Sequence, residues 1–203
     1  MKRYRINEIF YSLQGEGLFA GTAAVFIRFS GCNLKCPFCD TDFSAYEEMT
    51  AQEILKKVKS VDYGDCGHII VTGGEPTLQW DKELSKLLRK DYFVHMETNG
   101  TRELQAEVDY LTISPKGQWL GKAAELAIKE YDEIKIVVDE DTNVEQLSKL
   151  YEKMNTSAQL YIQPCDTGFI KRNAEIINKC VEFVKMFPSW NLSLQQQKIL
   201  KIR

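Results

Sequence analysis

The chain has 203 residues, 44% of them apolar and 27% charged, with a net charge of −3. That is one domain of ordinary size with enough apolar surface for a core, which excludes a disordered chain. A slight negative charge with no basic stripe disfavours binding to long nucleic acid, which needs clustered Lys and Arg.

Residues 1–22 read as an extended, turn-rich lead-in. Met1–Glu8 is charged and lacks an apolar h-region, so no signal peptide is expected. Gln14-Gly15-Glu16-Gly17 and Gly21 allow tight turns and close approach to a ligand. Ala23–Phe29 is an apolar run of strand length, interrupted by Arg28 four residues before Cys32. A lone Arg there is either paired or aimed as a fork at a carboxylate.

Thr50-Ala51-Gln52-Glu53 opens a helix to about Ser60 with a capping-box pattern. The strand His68–Thr72 ends in Gly73-Gly74-Glu75-Pro76, and a helix follows over about Leu78–Arg89. Four more alternations follow in the sequence. They are strand Tyr92–Thr98 with a helix near Arg102–Val108, and strand Tyr110–Ser114 with a helix near Lys122–Glu130. Strand Glu133–Val138 then precedes a helix near Val144–Asn155, and strand Leu160–Gln163 a helix near Lys171–Phe187. Six strand–helix units imply parallel pairing through right-handed crossovers. They are too few to close an eightfold barrel, and a doubly wound sheet fits the alternation equally. Either architecture gathers ligands at the C-terminal strand ends. No apolar run approaches the length of a membrane span.

The densest signal is Gly31-Cys32-Asn33-Leu34-Lys35-Cys36-Pro37-Phe38-Cys39-Asp40-Thr41, three cysteines in eight residues. Three thiolates cannot pair off among themselves, but they can converge on one inorganic centre. That centre is an iron–sulfur cube with one open iron, or zinc recruiting Cys66, His68 or His95 from afar. Cys180 lies on a helix and reads as core, and His68 and His95 read as structural. Six cysteines without an export signal point to a reduced, cytoplasmic protein.

The C-x3-C-x-aromatic-C loop resembles that of radical S-adenosylmethionine enzymes. With Ile9–Gly17 upstream and Cys39-Asp40-Thr41-Asp42-Phe43 closing the loop, nearly the whole chain is similar to the 7-carboxy-7-deazaguanine synthase family. The resemblance implies an α/β fold, the partial, open TIM-like barrel of six units. It implies one domain over 1–203, with a substrate-binding extension over about 1–22 and a C-terminal tail over about 188–203 packing near the site.

By the same resemblance, Cys32, Cys36 and Cys39 bind a 4Fe–4S cluster, and Thr41 binds Mg2+ toward the substrate carboxylate. Phe38, Cys39, Asp40, Gly74, Glu97, Ser114, Pro115, Lys116, Gln163, Pro164, Cys165 and Asp166 lie along S-adenosylmethionine. Leu13, Gln14, Gly15, Glu16, Arg28, Thr72, Gln197 and Arg203 face the substrate, with Glu16 and Arg28 in catalytic positions. Family tails often read Leu-x-Leu-Gln-x-His-Lys, and here Gln197 stands at the His position, an amide that does not titrate near neutrality.

The implied reaction contracts the ring of 6-carboxy-5,6,7,8-tetrahydropterin to 7-carboxy-7-deazaguanine with loss of ammonia, in queuosine-type 7-deazapurine biosynthesis. It needs an external one-electron reductase such as a flavodoxin and is expected of a homodimer. The alternatives are another radical enzyme, such as a glycyl-radical activase, and a non-catalytic zinc-binding module.

Overall fold

The computed structural model describes residues 2–42, 44–151 and 157–203. In chain order the elements are β1 (Tyr4–Leu13), β2 (Ala23–Phe29), β3 (Glu47–Met49), α1 (Ala51–Val61), β4 (His68–Gly73) and α2 (Lys82–Leu88). Then follow β5 (Phe93–Thr98), β6 (Tyr110–Ile113), α3 (Gly117–Leu120), β7 (Glu133–Val138), α4 (Val144–Tyr151), β8 (Gln159–Pro164), α5 (Ile170–Met186), β9 (Asn191–Leu192) and α6 (Gln196–Leu200). Among the described residues they form one nine-stranded sheet ordered β3-β1-β2-β4-β5-β6-β7-β8-β9.

The six expected parallel strands are β2 and β4 to β8, each paired in parallel with the next. The half-barrel of the radical enzymes is therefore the architecture, rather than a doubly wound sheet. The lead-in holds a surprise: Tyr4–Leu13 is a ten-residue strand, antiparallel to β2. Its register sets Glu8 opposite Arg28.

Strand parity divides the molecule into two chemistries. On the convex face, Val25, Ile27, Phe29, Ile69, Val71, Val94, Met96, Ile113, Ile134, Ile136 and Ile162 join the main core under the helices. The alternate positions Arg28, Thr72, Glu97, Thr112, Ser114, Lys135 and Gln163 line the concave side. A smaller apolar cluster of Phe10, Ala24, Phe26 and Ile70 lies beside them.

The helices cover the convex face for ordinary reasons. Thr50 caps α1 in the expected capping box with Glu53, and Ala51, Ile54 and Val58 form its buried stripe. In α5 the buried stripe is Ile176, Cys180 and Phe183. The helix expected from Leu78 divides into a 3₁₀ turn over Pro76–Leu78 and α2, which Asp81 caps through Leu84 N at 3.0 Å.

Two expected helices are corrected. Residues 102–108 are not helical, because side chains of other elements claim their carbonyls. Trp80 Nε1 donates to Ala106 O at 3.2 Å and Ser85 Oγ to Glu107 O at 2.7 Å, which holds the segment open. Over Lys122–Glu130 only the end of a 3₁₀ turn, Gly121–Ala124, precedes irregular chain, and Ala127 N and Ile128 N bond Gly100 O instead. The end expected for α4 near Asn155 lies outside the described residues, as does Phe43 of the loop.

Glu75, fully buried, ties two strand ends together. Its carboxylate accepts from Thr77 N (3.0 Å), Thr77 Oγ1 (2.6 Å), Thr98 Oγ1 (2.6 Å) and Asn99 N (2.8 Å). Beside it Gly74 packs so tightly that a Cβ would stand 2.0 Å from Gly31 O, within the cysteine loop. Glu75→Gln keeps the shape but turns an amide toward donors. It should destabilise the protein by roughly 3 kcal/mol, read as a shifted urea midpoint at constant slope. A change below about 0.5 kcal/mol would remove Glu75 from this role.

Candidate active site

The concave side opens into a cavity of about 900 Å³, the size range of a small-molecule site. Cys32, Cys36 and Cys39 stand on its wall, all three thiols free. A turn closed by Cys39 N to Cys36 O at 3.2 Å shapes their loop, and Leu34 N donates to Cys32 Sγ at 3.4 Å. Burial pushes the Cys32 and Cys36 thiols up. Three soft donors on one short loop suit a cluster with one iron left open. Cys180 is core, its thiol pushed up to about 12 by burial. His68 and His95 stack at 5.9 Å among Phe19, Phe93 and Tyr110, and burial pushes both imidazoles down. His95 Nε2 pairs with Thr112 Oγ1 at 2.8 Å.

At the centre lies a buried ion cluster. Lys135 Nζ reaches Glu16 Oε2 at 2.5 Å and Glu97 Oε1 at 3.2 Å, with its side chain only 5% exposed. Gln14 Nε2 donates to Glu97 Oε1 at 3.0 Å. Glu16 Oε1 accepts from Gln195 Nε2 at 3.1 Å and Gln197 Nε2 at 2.9 Å. Burial alone would raise the Glu16 carboxyl. The Lys135 charge and these hydrogen bonds outweigh it and hold the group well below the ordinary carboxylate range. Lys135 is likewise held charged, because the carboxylates outweigh its desolvation.

One layer deeper, Glu133 accepts from Leu18 N at 2.9 Å and Tyr110 Oη at 3.3 Å, and burial raises its carboxyl. Gly17 has φ +64°, and a Cβ there would stand 2.2 Å from Glu133 Oε1. Both facts require glycine in the Gln14–Gly17 turn.

The cavity gathers the expected residues from separate elements: Leu13, Gln14, Gly15 and Glu16 from the first turn, Arg28 and Thr72 from β2 and β4, and Phe38, Asp40 and Thr41 from the loop. Gly74, Glu97, Ser114, Lys116, Gln163, Pro164, Cys165 and Asp166 come from the strand ends, and Gln197 and Arg203 from the last segment. Pro115 is the exception. It is buried and off the wall, because Ser114 and Lys116 turn inward on either side of it.

Lys116 Nζ donates to Ser114 O at 2.8 Å and Ser114 Oγ at 2.5 Å, and burial brings the ammonium down to about 8. It lies 5.8 Å from the centre of the Phe38 ring, itself packed on Trp119 at 4.3 Å. Arg28 is ion-paired, its Nε 2.8 Å from Glu8 Oε1. Lys135, Glu8, Gln195 and Lys198 also line the cavity. Gln195 and Lys198 stand at the Gln and Lys of the tail pattern, Lys135 shares a buried strand with Glu133, and Glu8 had no signal of its own.

Known proteins resemble this chain in sequence and in fold. The Radical SAM superfamily profile matches residues 26–117. The 7-carboxy-7-deazaguanine synthase of Bacteroides thetaiotaomicron is 42% identical over 200 residues, 98% of this chain and 98% of that protein. The synthase of Haemophilus influenzae is 36% identical over 203 residues, 98% of this chain and 94% of that protein. The crystal structure of QueE from Escherichia coli aligns with a TM-score of 0.80 at 27% identity, over 95% of this chain and 93% of that one.

The ion cluster has a pH signature. In the cluster-free protein at pH 7, Lys135→Met should cost about 3–5 kcal/mol, since two carboxylates lose their buried counter-ion. In the wild type, Glu16 is lowered below its ordinary 4.5, so its contribution is present above that pH and fades as pH falls. In the variant the Lys135 charge is gone and only the Gln195 and Gln197 hydrogen bonds oppose burial, so Glu16 rises relative to the wild type and acid relieves the penalty. Urea midpoints should therefore converge toward pH 4; a difference that stays constant with pH would refute the pairing.

Proposed function

The chain belongs to the 7-carboxy-7-deazaguanine synthase family of radical S-adenosylmethionine enzymes, and from that membership we propose how its own residues carry the reaction. It is a ring-contracting lyase of 7-deazapurine biosynthesis, taking 6-carboxy-5,6,7,8-tetrahydropterin to 7-carboxy-7-deazaguanine with loss of ammonia. The observation that carries the residue assignment is that the thiols of Cys32, Cys36 and Cys39 share one cavity with Gln14, Glu16 and Arg28.

When bound, the 4Fe–4S cluster and S-adenosylmethionine supply what no side chain can, one electron and a carbon radical able to take hydrogen from C6 of the pterin. The three cysteines hold the cluster. Gly74, with backbone bare, and Glu97, Ser114, Lys116 and Gln163–Asp166 receive S-adenosylmethionine, and Phe38 and Asp40 flank it. Leu13, Gln14, Gly15 and Glu16 orient the pterin, with Thr72 and Gln197 beside them. Gln14 and Glu16 already hold hydrogen bonds to Glu97, Lys135, Gln195 and Gln197, so these two need little reorganisation on binding. Arg28 and Arg203 take the carboxylate. Thr41, two residues after Cys39, binds Mg2+ through its hydroxyl, an oxygen donor that ion prefers. The 188–203 segment screens the cavity from water, and the single sheet from β1 to β9 supports one domain.

A cytoplasmic homodimer reduced by an external one-electron donor such as a flavodoxin completes the proposal. The six free thiols suit a reducing compartment, and none of the described helices is long and apolar enough to cross a membrane.

Anaerobic incubation with S-adenosylmethionine, a reductant and the carboxylated pterin should give the deazaguanine mass and free ammonia. Replacing Cys32, Cys36 or Cys39 by Ala should abolish both the cluster absorbance and product, while Cys180→Ser leaves the absorbance in place. A cluster that survives loss of Cys36 would sink the assignment. Thr41→Ala should keep the cluster but lose most Mg2+ stimulation of chelator-treated enzyme, and Thr41→Ser should keep it. Equal stimulation in Thr41→Ala and wild type would move the ion elsewhere.

A further inference from the structure

Glu8 lies between two guanidinium groups. Its Oε1 accepts from Arg28 Nε at 2.8 Å and its Oε2 from Arg203 Nη2 at 2.6 Å. Both guanidiniums approach one ring, Arg28 at 5.8 Å and Arg203 at 5.2 Å from the centre of Phe10, which stacks on Phe26 at 5.0 Å. Ser12 Oγ fixes the same end of the segment, donating to Arg203 O at 2.6 Å. Glu8, Phe10, Arg28 and Arg203 all line the cavity.

Two features make this more than a surface pair. The first is charge: two cations share one anion, which leaves one positive charge for a second carboxylate. The second is geometry. Glu8 takes Nε of Arg28, which leaves the two Nη groups as an end-on fork that can still pair bidentately with a second carboxylate. Arg203 is 71% exposed, so its pair with Glu8 is weak by itself. An anion arriving between the guanidiniums would strengthen the hold of both.

We propose that Glu8 is a positioning residue that yokes Arg203 to Arg28, so that the two guanidiniums act as one receptor for the substrate carboxylate. Binding that carboxylate then holds the 188–203 segment more firmly on the cavity it already lines. This rests on the reading of Arg28 as a carboxylate contact. It makes the carboxylate of the pterin the group that the enzyme selects.

The test uses the cluster-loaded enzyme with Glu8→Gln, Arg203→Gln, the double variant and Arg28→Lys. Glu8→Gln keeps size but not charge. It should raise KM for the carboxylated pterin about tenfold and leave kcat within about twofold, the pattern of lost positioning for binding. Arg203→Gln, which loses both the link and the guanidinium's own contact, should raise KM at least as much, and the double variant should be no worse than Arg203→Gln alone, since Glu8 acts through that link. A KM rise in Arg28→Lys with none in Glu8→Gln overturns the yoke and spares the reading of Arg28. No rise in either overturns both. Additive effects in the double variant also overturn the yoke.

A second readout needs no turnover. In cluster-free protein the carboxylated pterin should slow tryptic cleavage after Lys198 and Lys201 in wild type and not in Glu8→Gln. Equal slowing in the two would overturn the coupling.

Discussion

The half-barrel has to keep a charged lysine inside it. Lys135 sits on a strand whose every residue is buried, and an ammonium there is tenable only with carboxylates in contact. Glu16 and Glu97 meet that demand from opposite directions, one on the turn after β1 and the other near the end of β5. Satisfying one buried cation therefore fixes how the first turn, the middle of the sheet and the far strands sit relative to one another. The last segment is recruited too, because Glu16 has an oxygen left over and Gln195 and Gln197 occupy it. Gln197, an amide, holds Glu16 without itself titrating near neutrality.

Such a cluster is a poor source of stability, since desolvation consumes most of what the Coulomb attraction returns. Its value is that the polar groups of the cavity are pointed before any ligand arrives. Stability comes from the other face of the same strands, where Ile27, Val71, Met96, Ile113 and Ile136 pack under the helices. The division is made residue by residue along each strand, so one-residue slippage would exchange core for site. Antiparallel β1 adds to this pinning, because its register carries Glu8 to Arg28 and its following turn carries Glu16 to Lys135.

Much of this was legible in the chain and some was not, for physical reasons. The parallel strands are β-branched runs with turn residues at their ends, and local pattern suffices to find them. The thiol loop is legible because three cysteines in eight residues have few uses. β1 was harder: Tyr-Arg-Ile-Asn-Glu-Ile-Phe alternates, but its antiparallel partner is set by tertiary contact and not by a hairpin signal. The helix expected over 102–108 fails because Trp80 and Ser85, far along the chain, capture its carbonyls, which propensity cannot register. Lys135 and Glu8 look like ordinary breaks in strand patterns. Only the folded partner tells a solvated charge from a buried one. Pro115 shows the converse: just past the end of β6 it lies buried between two residues that line the cavity, and is itself off the wall.

The last segment follows from the same reasoning. It touches three separate walls: Gln197 holds Glu16, Lys198 Nζ bridges Asp40 at 2.9 Å and Asp166 at 3.0 Å, and Arg203 meets Glu8. The two cationic contacts are partly exposed pairs of the kind worth about 0–1 kcal/mol each. Singly they would not hold a segment in place. Joined on one short stretch of chain, each raises the effective concentration of the next, so the segment stays down as a unit and can leave as a unit. Its anchors differ in chemistry, and that difference has a consequence. Lys198 reads carboxylates on the cysteine loop and just after β8, while Arg203 reads one on β1. Closure of the segment thus joins the side of the cavity that carries the thiols to the side that carries Arg28, and a ligand on either side changes the electrostatic balance that holds it.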